Sequence, residues 1–177
     1  PKVAAVHLGT PCTTMSNARR PAIRSVQHIW GLPGRSVKEK RQLEEANQLI
    51  FFTIDVLKIC IRRKIIVTLE NPLTSLLWQV PQIQRLLRIH KGDYVDFHMC
   101  QYGIKWRKAT RLLTFSFPLA ARLSKLCTGR KGFCSRTNLR HYVLEGRDEH
   151  GVLRTKRAQA YPKRFCDDYA SLLCSQI

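Results

Sequence analysis

This sequence has few acidic residues and only short apolar runs. Its 177 residues include 12 aspartates and glutamates against 31 lysines and arginines, a formal net charge of +19. Such an excess favours a polyanionic partner, and nucleic acid is the commonest one. The longest apolar stretch, residues 49–61, is interrupted by Asp55 and Lys58. It falls short of the about 18–20 apolar residues that a membrane span needs, so we expect no membrane association.

We also expect no secretory leader, because the first residues show neither a long apolar stretch nor a small-residue cleavage pattern. The seven cysteines are odd in number and spread along the chain. Without a leader, this usage favours reduced thiols, a metal site or a catalytic thiol over a disulfide framework. We therefore expect an intracellular protein, in the nucleus, or in the cytoplasm if the source is prokaryotic or viral.

The order of apolar segments predicts an α/β fold. A long helix should begin after Ser36, because Glu39 completes a capping box and apolar residues then recur at three- and four-residue steps. The other predicted elements are strands over residues 2–8, 64–72, 94–103 and 111–117, a short helix over 81–90 and a last helix starting near Pro162. From Cys127 the chain becomes rich in glycine and arginine. We expect an α/β core over residues 1–126 and a basic, Cys/His-containing segment with a final helix over 127–177.

Two reactive side chains follow the first two predicted strands. Cys12 lies in a Gly/Pro turn after the first strand, where free backbone N–H groups favour a thiolate. Glu70 ends the second strand. Because ligands bind outside the carboxyl ends of parallel strands, the two residues are expected at one rim, as a nucleophile beside an acid. The alternatives are a packed cysteine at a turn and a glutamate that caps a loop.

A third group of polar residues lies in "CQYGIKWRKATRLLTF", between the third and fourth predicted strands. Gln101, Arg107 and Arg111 flank a turn there, and their donors suit a phosphate or a base edge. A solvated basic loop is the alternative.

Four segments together resemble cytosine-5 DNA methyltransferases in their phage-like form. "GTPCTTMS" resembles the family's Gly-x-Pro-Cys-x-x-x-Ser motif, and "LENP" resembles its Glu-Asn motif with Pro in place of the usual Val. "CQYGIKWRKATRLLTF" is similar to the Gln/Arg motif, although the usual Gln-x-Arg-x-Arg spacing is not kept. "RAQAYPKRFCDDYA" is similar to the closing segment. The matches occur in the family's order over nearly the whole chain, and they imply a partial Rossmann-like methyltransferase sheet.

The resemblance implies a mechanism. Cys12 would attack C6 of a cytosine flipped out of the stack, and Glu70 would protonate or hydrogen-bond N3. C5 would then take the methyl group of S-adenosylmethionine. Ser16 would set the turn and contact the backbone, and Arg107 and Arg111 would hold the flipped nucleotide. Gln101 of the same motif would also bind the substrate.

The chain departs from the family where the methyl donor binds. In the family, a Gly-rich loop and acidic residues ahead of the Pro-Cys motif hold the donor, but only eleven residues precede Cys12 and the sequence contains no Gly-x-Gly. We expect no methylation by this chain alone, and completion of the donor site by an upstream segment or a second chain. The strand at Val3 to Leu8 should then be an exposed sheet edge, or be covered by that partner.

A metal site is a further hypothesis. Cys127, Cys134 and His141 are each separated by six residues, and Cys100 or His150 would supply a fourth ligand for zinc. The alternative is a set of thiols and an imidazole scattered in a basic loop.

Two functions therefore stay open besides the methyltransferase-like domain. One is a non-catalytic basic module that binds nucleic acid, DNA or RNA, within a mobile or viral element. The other is a zinc-stabilised interaction domain.

Overall fold

The computed structural model describes residues 3–17, 19–116, 119 and 122–176 and shows an α/β fold. Within these residues, four strands form one mixed sheet in the order β1-β2-β4-β3. The strands are β1 (Ala5–Gly9), β2 (Ile66–Pro72), β3 (Asp93–His98) and β4 (Ala109–Thr114). The helices are α1 (Val37–Arg62), α2 (Pro81–Ile89), α3 (Arg154–Arg157) and α4 (Lys163–Cys174), with 3₁₀ turns at Leu76–Gln79 and Met99–Tyr102. Among the described helices, none combines the length and the apolar character needed to cross a membrane.

The capping box predicted for α1 is confirmed. The Ser36 hydroxyl accepts a hydrogen bond from the Glu39 N–H at 3.3 Å, and the Glu39 carboxylate accepts one from the Ser36 N–H at 3.1 Å. These bonds satisfy two of the donors that a helix start leaves unpaired. The predicted apolar face is buried at Leu43, Ile50, Ile54 and Leu57.

The chain folds as two compact units. The first comprises Pro1–Tyr94 and Arg111–Phe117, and the second comprises Val95–Thr110 and Pro118–Ile177. In the first unit, α1 and the 3₁₀ turn after β2 pack on the sheet around fully buried Leu57, Leu69 and Leu77. Strand β1 pairs in parallel with β2 and stands at one end of the strand order. The predicted edge position of this strand is therefore confirmed, and Val3 just before it is 60% exposed.

The third and fourth strands differ in extent from their predictions. Strand β3 ends at His98, and the residues predicted to continue it form the 3₁₀ turn instead. That turn buries Met99, Cys100 and Tyr102 together, which an alternating strand does not allow. Gly103 closes it with a φ of 105°, in the left-handed region that glycine adopts without strain. Strand β4 begins two residues before the prediction, at Ala109, and Phe117 at its predicted end lies outside the described residues.

Aromatic rings form the core of the second unit. The ring of Phe165 on α4 stacks on Phe97 at 4.5 Å and meets the edge of Tyr102 at 5.2 Å. Helix α4 starts after Pro162, as predicted. The boundary predicted between residues 126 and 127 falls inside this unit, because Cys127 packs against Cys100 in a buried cluster.

Candidate functional site

The register of β1 and β2 places the Cys12 turn and Glu70 at the same, carboxyl-terminal end of these two strands. Gly9, the last residue of β1, is the Cα partner of Glu70. Three residues later the chain reaches Cys12, whose thiol is free and partly exposed. Glu70 is 8% exposed. Of the two residues predicted as nucleophile and acid, Cys12 therefore follows the carboxyl end of β1, and Glu70 lies near the carboxyl end of its parallel neighbour β2.

Backbone hydrogen bonds fix the turn that carries Cys12. The Met15 N–H donates to the Cys12 carbonyl at 3.0 Å, and the Met15 carbonyl accepts from the Leu76 N–H at 2.9 Å. The Asn71 amide donates to the Thr10 carbonyl at 2.7 Å. The turn after β1 is thus held by the segment that follows β2.

Arg24 is a buried cation behind this turn that sequence reasoning missed. Its guanidinium donates to the Ile29 carbonyl and to the Asn47 side chain, both at 2.7 Å, and to the Thr14 hydroxyl at 3.2 Å. Burial lowers the pKa of Arg24 to about 10, so the group stays charged at neutral pH. It connects the Cys12 turn to α1 through Thr14 and Asn47. Nothing in the sequence distinguishes it from the other arginines of its loop.

Ser16 and Arg111 also belong to the first unit. The Ser16 carbonyl accepts from the Arg19 N–H at 3.2 Å, so Ser16 continues the turn begun at Cys12. On β4, the guanidinium of Arg111 lies 4.3 Å from the centre of the Tyr94 ring. Packing against the Tyr94 ring therefore orients the planar guanidinium group of Arg111.

In the second unit, Cys100, Cys127, Cys134 and His141 come together. The four candidate ligand atoms all lie within 4.8 Å of one another, and the Cys127 Sγ is 3.7 Å from the His141 Nε2. The three thiols are 0–5% exposed. This buried Cys3His cluster could hold a metal ion. Of the two fourth ligands left open by the sequence, Cys100 takes part, whereas His150 is exposed beside Glu149.

Hydrogen bonds to sulfur favour a thiolate within the cluster. Burial raises the pKa of the Cys127 thiol, but the N–H and hydroxyl of Ser135 and the N–H of Gly129 outweigh it and lower that pKa to about 6. The Ser135 N–H lies 3.4 Å from the Cys127 Sγ. Burial raises the pKa of the Cys100 thiol to about 12. An anionic sulfur at Cys127 suits a cation, since the thiolate is the form that ligates metals.

The surroundings of the cluster orient its ligands. The His141 Nδ1 lies 3.0 Å from the Gly132 carbonyl, which leaves Nε2 directed at the thiols. A metal-bound histidine usually donates its second N–H in this way.

Gln101 and Arg107, predicted to bind nucleotide, lie beside the same cluster. The Gln101 amide is 3.6 Å from the Cys100 Sγ and 3.7 Å from the Cys134 Sγ. The Arg107 guanidinium donates to the Cys127 carbonyl at 3.1 Å and to His98 at 3.3 Å. The metal-site hypothesis included Cys100, the first residue of the Gln/Arg motif, but residue spacing did not predict that Gln101 and Arg107 would contact the cysteine cluster.

Comparison with known proteins identifies no relative: no family model, curated protein or solved structure matches the chain.

Proposed function

We propose that the chain binds nucleic acid and that its first unit is a Rossmann-like domain carrying the base-directed half of a DNA (cytosine-5)-methyltransferase. The observation that carries this proposal is the pairing of Gly9 with Glu70 in adjacent parallel strands. This pairing supports a nucleophile, Cys12, and an acid, Glu70, at the same end of two parallel strands, as the resemblance implies. The net charge of +19 supports a polyanionic substrate.

In the proposed chemistry, the Cys12 thiolate adds to C6 of an unstacked cytosine. Glu70 donates a proton to N3 and so stabilises the charge that the addition pushes into the ring. The adduct makes C5 nucleophilic, and C5 takes a proton from water. The hydroxide left by that water removes the original C5 hydrogen, the thiolate leaves C6, and Glu70 takes back its proton from N3, which regenerates cytosine with an exchanged hydrogen.

S-adenosylmethionine does not fit the residues present. The sequence lacks a Gly-x-Gly loop, and the carboxyl end of β1 leads directly into the Cys12 turn. We therefore propose that another segment or a second chain, pairing with β1 at the sheet edge, supplies any donor site. Incubation of the isolated chain with labelled donor and a cytosine oligonucleotide should give no transfer, and transfer would contradict this part.

Hydrogen exchange at C5 tests the first-unit proposal without the donor. The full chain is incubated with an oligonucleotide carrying tritium at cytosine C5, and release of label to water is measured. Release should disappear in Cys12→Ser and persist in Cys166→Ser, which removes an exposed thiol on α4. Equal release from both variants would overturn the role of Cys12.

A non-catalytic nucleic-acid module, as in a mobile or viral element, is the second candidate. The same charge supports it. It predicts salt-sensitive binding that Cys12→Ser leaves unchanged, together with no release of label from the wild-type chain.

We also propose that the Cys3His cluster holds zinc. Three sulfurs and one imidazole are a typical structural zinc set, and tetrahedral Zn–S bonds require ligand separations of about 3.8 Å. The Cys127 Sγ and the His141 Nε2 are 3.7 Å apart, close to that separation, and the four ligand atoms together lie within 4.8 Å of one another. Mass spectrometry of the native chain should find one zinc per chain in wild type and Cys166→Ser and none in Cys134→Ser. A metal-free wild type after zinc reconstitution would contradict the proposal.

A further inference from the structure

The segment between the metal-site residues Cys127 and His141, which we term the metal loop (residues 127–141), is strongly basic. It contains four cations and no aspartate or glutamate. All four are exposed: Arg130, Lys131, Arg136 and Arg140. A short loop with this charge and no internal counter-charge presents a positive potential to solvent, which attracts anions.

The metal loop also has a defined shape. Its chain doubles back so that Phe133 forms an antiparallel bridge with Arg140. The Cys134 N–H donates to the Leu139 carbonyl at 2.8 Å, and the His141 N–H donates to the Gly132 carbonyl at 2.8 Å. The cations are therefore displayed on a small hairpin whose two ends meet at the Cys3His cluster.

An exposed aromatic ring lies beside one of these cations. Phe133 is 41% exposed although it is large and apolar, and the Arg140 guanidinium lies 5.8 Å from its ring centre. An exposed ring beside a guanidinium group is an arrangement on which an unpaired nucleic-acid base can stack while an adjacent phosphate meets the cation.

We infer that the metal loop binds single-stranded nucleic acid, with one unpaired base stacked on Phe133 and phosphates paired with Arg130, Lys131 and Arg140. This deepens the proposed nucleic-acid function and rests on it. Charge complementarity selects a polyanion, and the exposed ring selects a strand with accessible base faces over a fully paired duplex. An acidic peptide would satisfy the cations but would leave the ring without a stacking partner.

The cluster ties this surface to the rest of the second unit. Arg136 donates from Nε to the Cys100 carbonyl at 2.9 Å, and Tyr142 just after the loop donates to the Lys105 carbonyl at 2.9 Å. Because the ligands close both ends of the loop, a bound metal would hold Phe133 and the cations in one arrangement. Binding of the strand should therefore weaken when the ligand set is broken.

The test uses the full metal-loaded chain and a short fluorescein-labelled single-stranded DNA of mixed sequence, with anisotropy as the readout. Phe133→Leu should weaken binding about tenfold, whereas Phe133→Tyr should keep it, because stacking needs the ring. The triple variant Arg130→Gln, Lys131→Gln, Arg140→Gln should weaken binding further and reduce the slope of log Kd against log salt by about 2. A matched control removes the same charge from α1: Lys38→Gln, Lys40→Gln, Arg62→Gln.

The possible outcomes distinguish a failure of this inference from a failure of the proposed nucleic-acid function. No binding by the wild type at low salt would overturn the nucleic-acid function itself. Binding that the loop triple and the α1 triple weaken equally would leave that function standing and overturn the role of the metal loop. Equal affinity for duplex and single strand, or no effect of Phe133→Leu, would overturn the stacking. Tighter binding to poly-glutamate than to DNA would assign the surface to an acidic protein instead.

Discussion

The side-chain amide of Asn71 donates a hydrogen bond of 2.7 Å to the backbone carbonyl of Thr10. Asn71 is 1% exposed and follows Glu70 on β2, and Thr10 lies two residues before Cys12. This bond connects the end of one strand to the turn after its parallel neighbour. It is one of the contacts that hold the turn carrying Cys12 beside the end of β2.

Replacement of Asn71 by alanine should therefore loosen the Cys12 turn. Asn71→Ala leaves a buried carbonyl without its donor, which costs about 1–3 kcal/mol in the free energy of unfolding. Urea denaturation measures that loss, and tritium release from cytosine should fall with it.

Asn17→Ala is the control for Asn71→Ala. Asn17 also donates to a carbonyl, that of Thr74 at 2.7 Å, but it is exposed. Water replaces its bond, so its loss should be within about 1 kcal/mol. Equal losses in the two variants would show that the Thr10 bond does not fix the turn.

Arg24→Met should destabilise the first unit. The change keeps an unbranched side chain but removes the hydrogen bonds that Arg24 donates. Their acceptors, the Thr14 hydroxyl, the Asn47 side chain and the Ile29 carbonyl, would then lack a donor. Charged hydrogen bonds of this kind contribute about 1.5–3 kcal/mol each, so we expect a loss of about 2 kcal/mol or more. Denaturant midpoints measure it. Arg20→Met, at an exposed arginine, is the comparison, and equal midpoints would contradict the role of Arg24.

Metal removal should loosen the second unit selectively. With a chelator, the amides that close the metal loop should lose protection from hydrogen exchange, because metal binding and loop order are coupled. The amides to follow are those of Cys134, Asn138 and His141, which are hydrogen-bonded within the loop. The amides of α1 should stay protected. Unchanged exchange in the loop would show that it is ordered without metal.

Gly129→Ala should disrupt the metal loop by collision. A Cβ at this position would overlap the Phe133 carbonyl oxygen and lie 2.8 Å from the Ser135 nitrogen. Backbone atoms cannot rotate away, so we expect a loss of about 3 kcal/mol and reduced zinc content. Thermal unfolding and metal analysis measure these effects.

Gly132→Ala is the control that distinguishes steric overlap at Gly129 from backbone strain. Gly132 has a φ of 83° with open space around it, so alanine there meets only the left-handed backbone penalty of about 1–2 kcal/mol. A loss as large as that of Gly129→Ala would contradict the collision argument.

The sequence was most informative where local chemistry decides the structure. The capping box at Ser36 and the Pro162 start of α4 depend on neighbours within one helical turn, and both are confirmed. The third strand was predicted too long because burial of Cys100 and Tyr102 together is a tertiary effect. Alternation in a short apolar segment cannot distinguish a strand from the turn that follows it.

By itself, the sequence determined the α/β alternation, the long capped helix and the basic character, because periodicity, capping and charge are properties of neighbouring residues. Only the tertiary structure decided that Cys100, not His150, joins Cys127, Cys134 and His141. It also decided that Gly9 is paired with Glu70 and that Arg24 supports the Cys12 turn. These contacts join residues that are distant in the chain, and strand register and burial, which bring them together, are set by the packing of the whole unit.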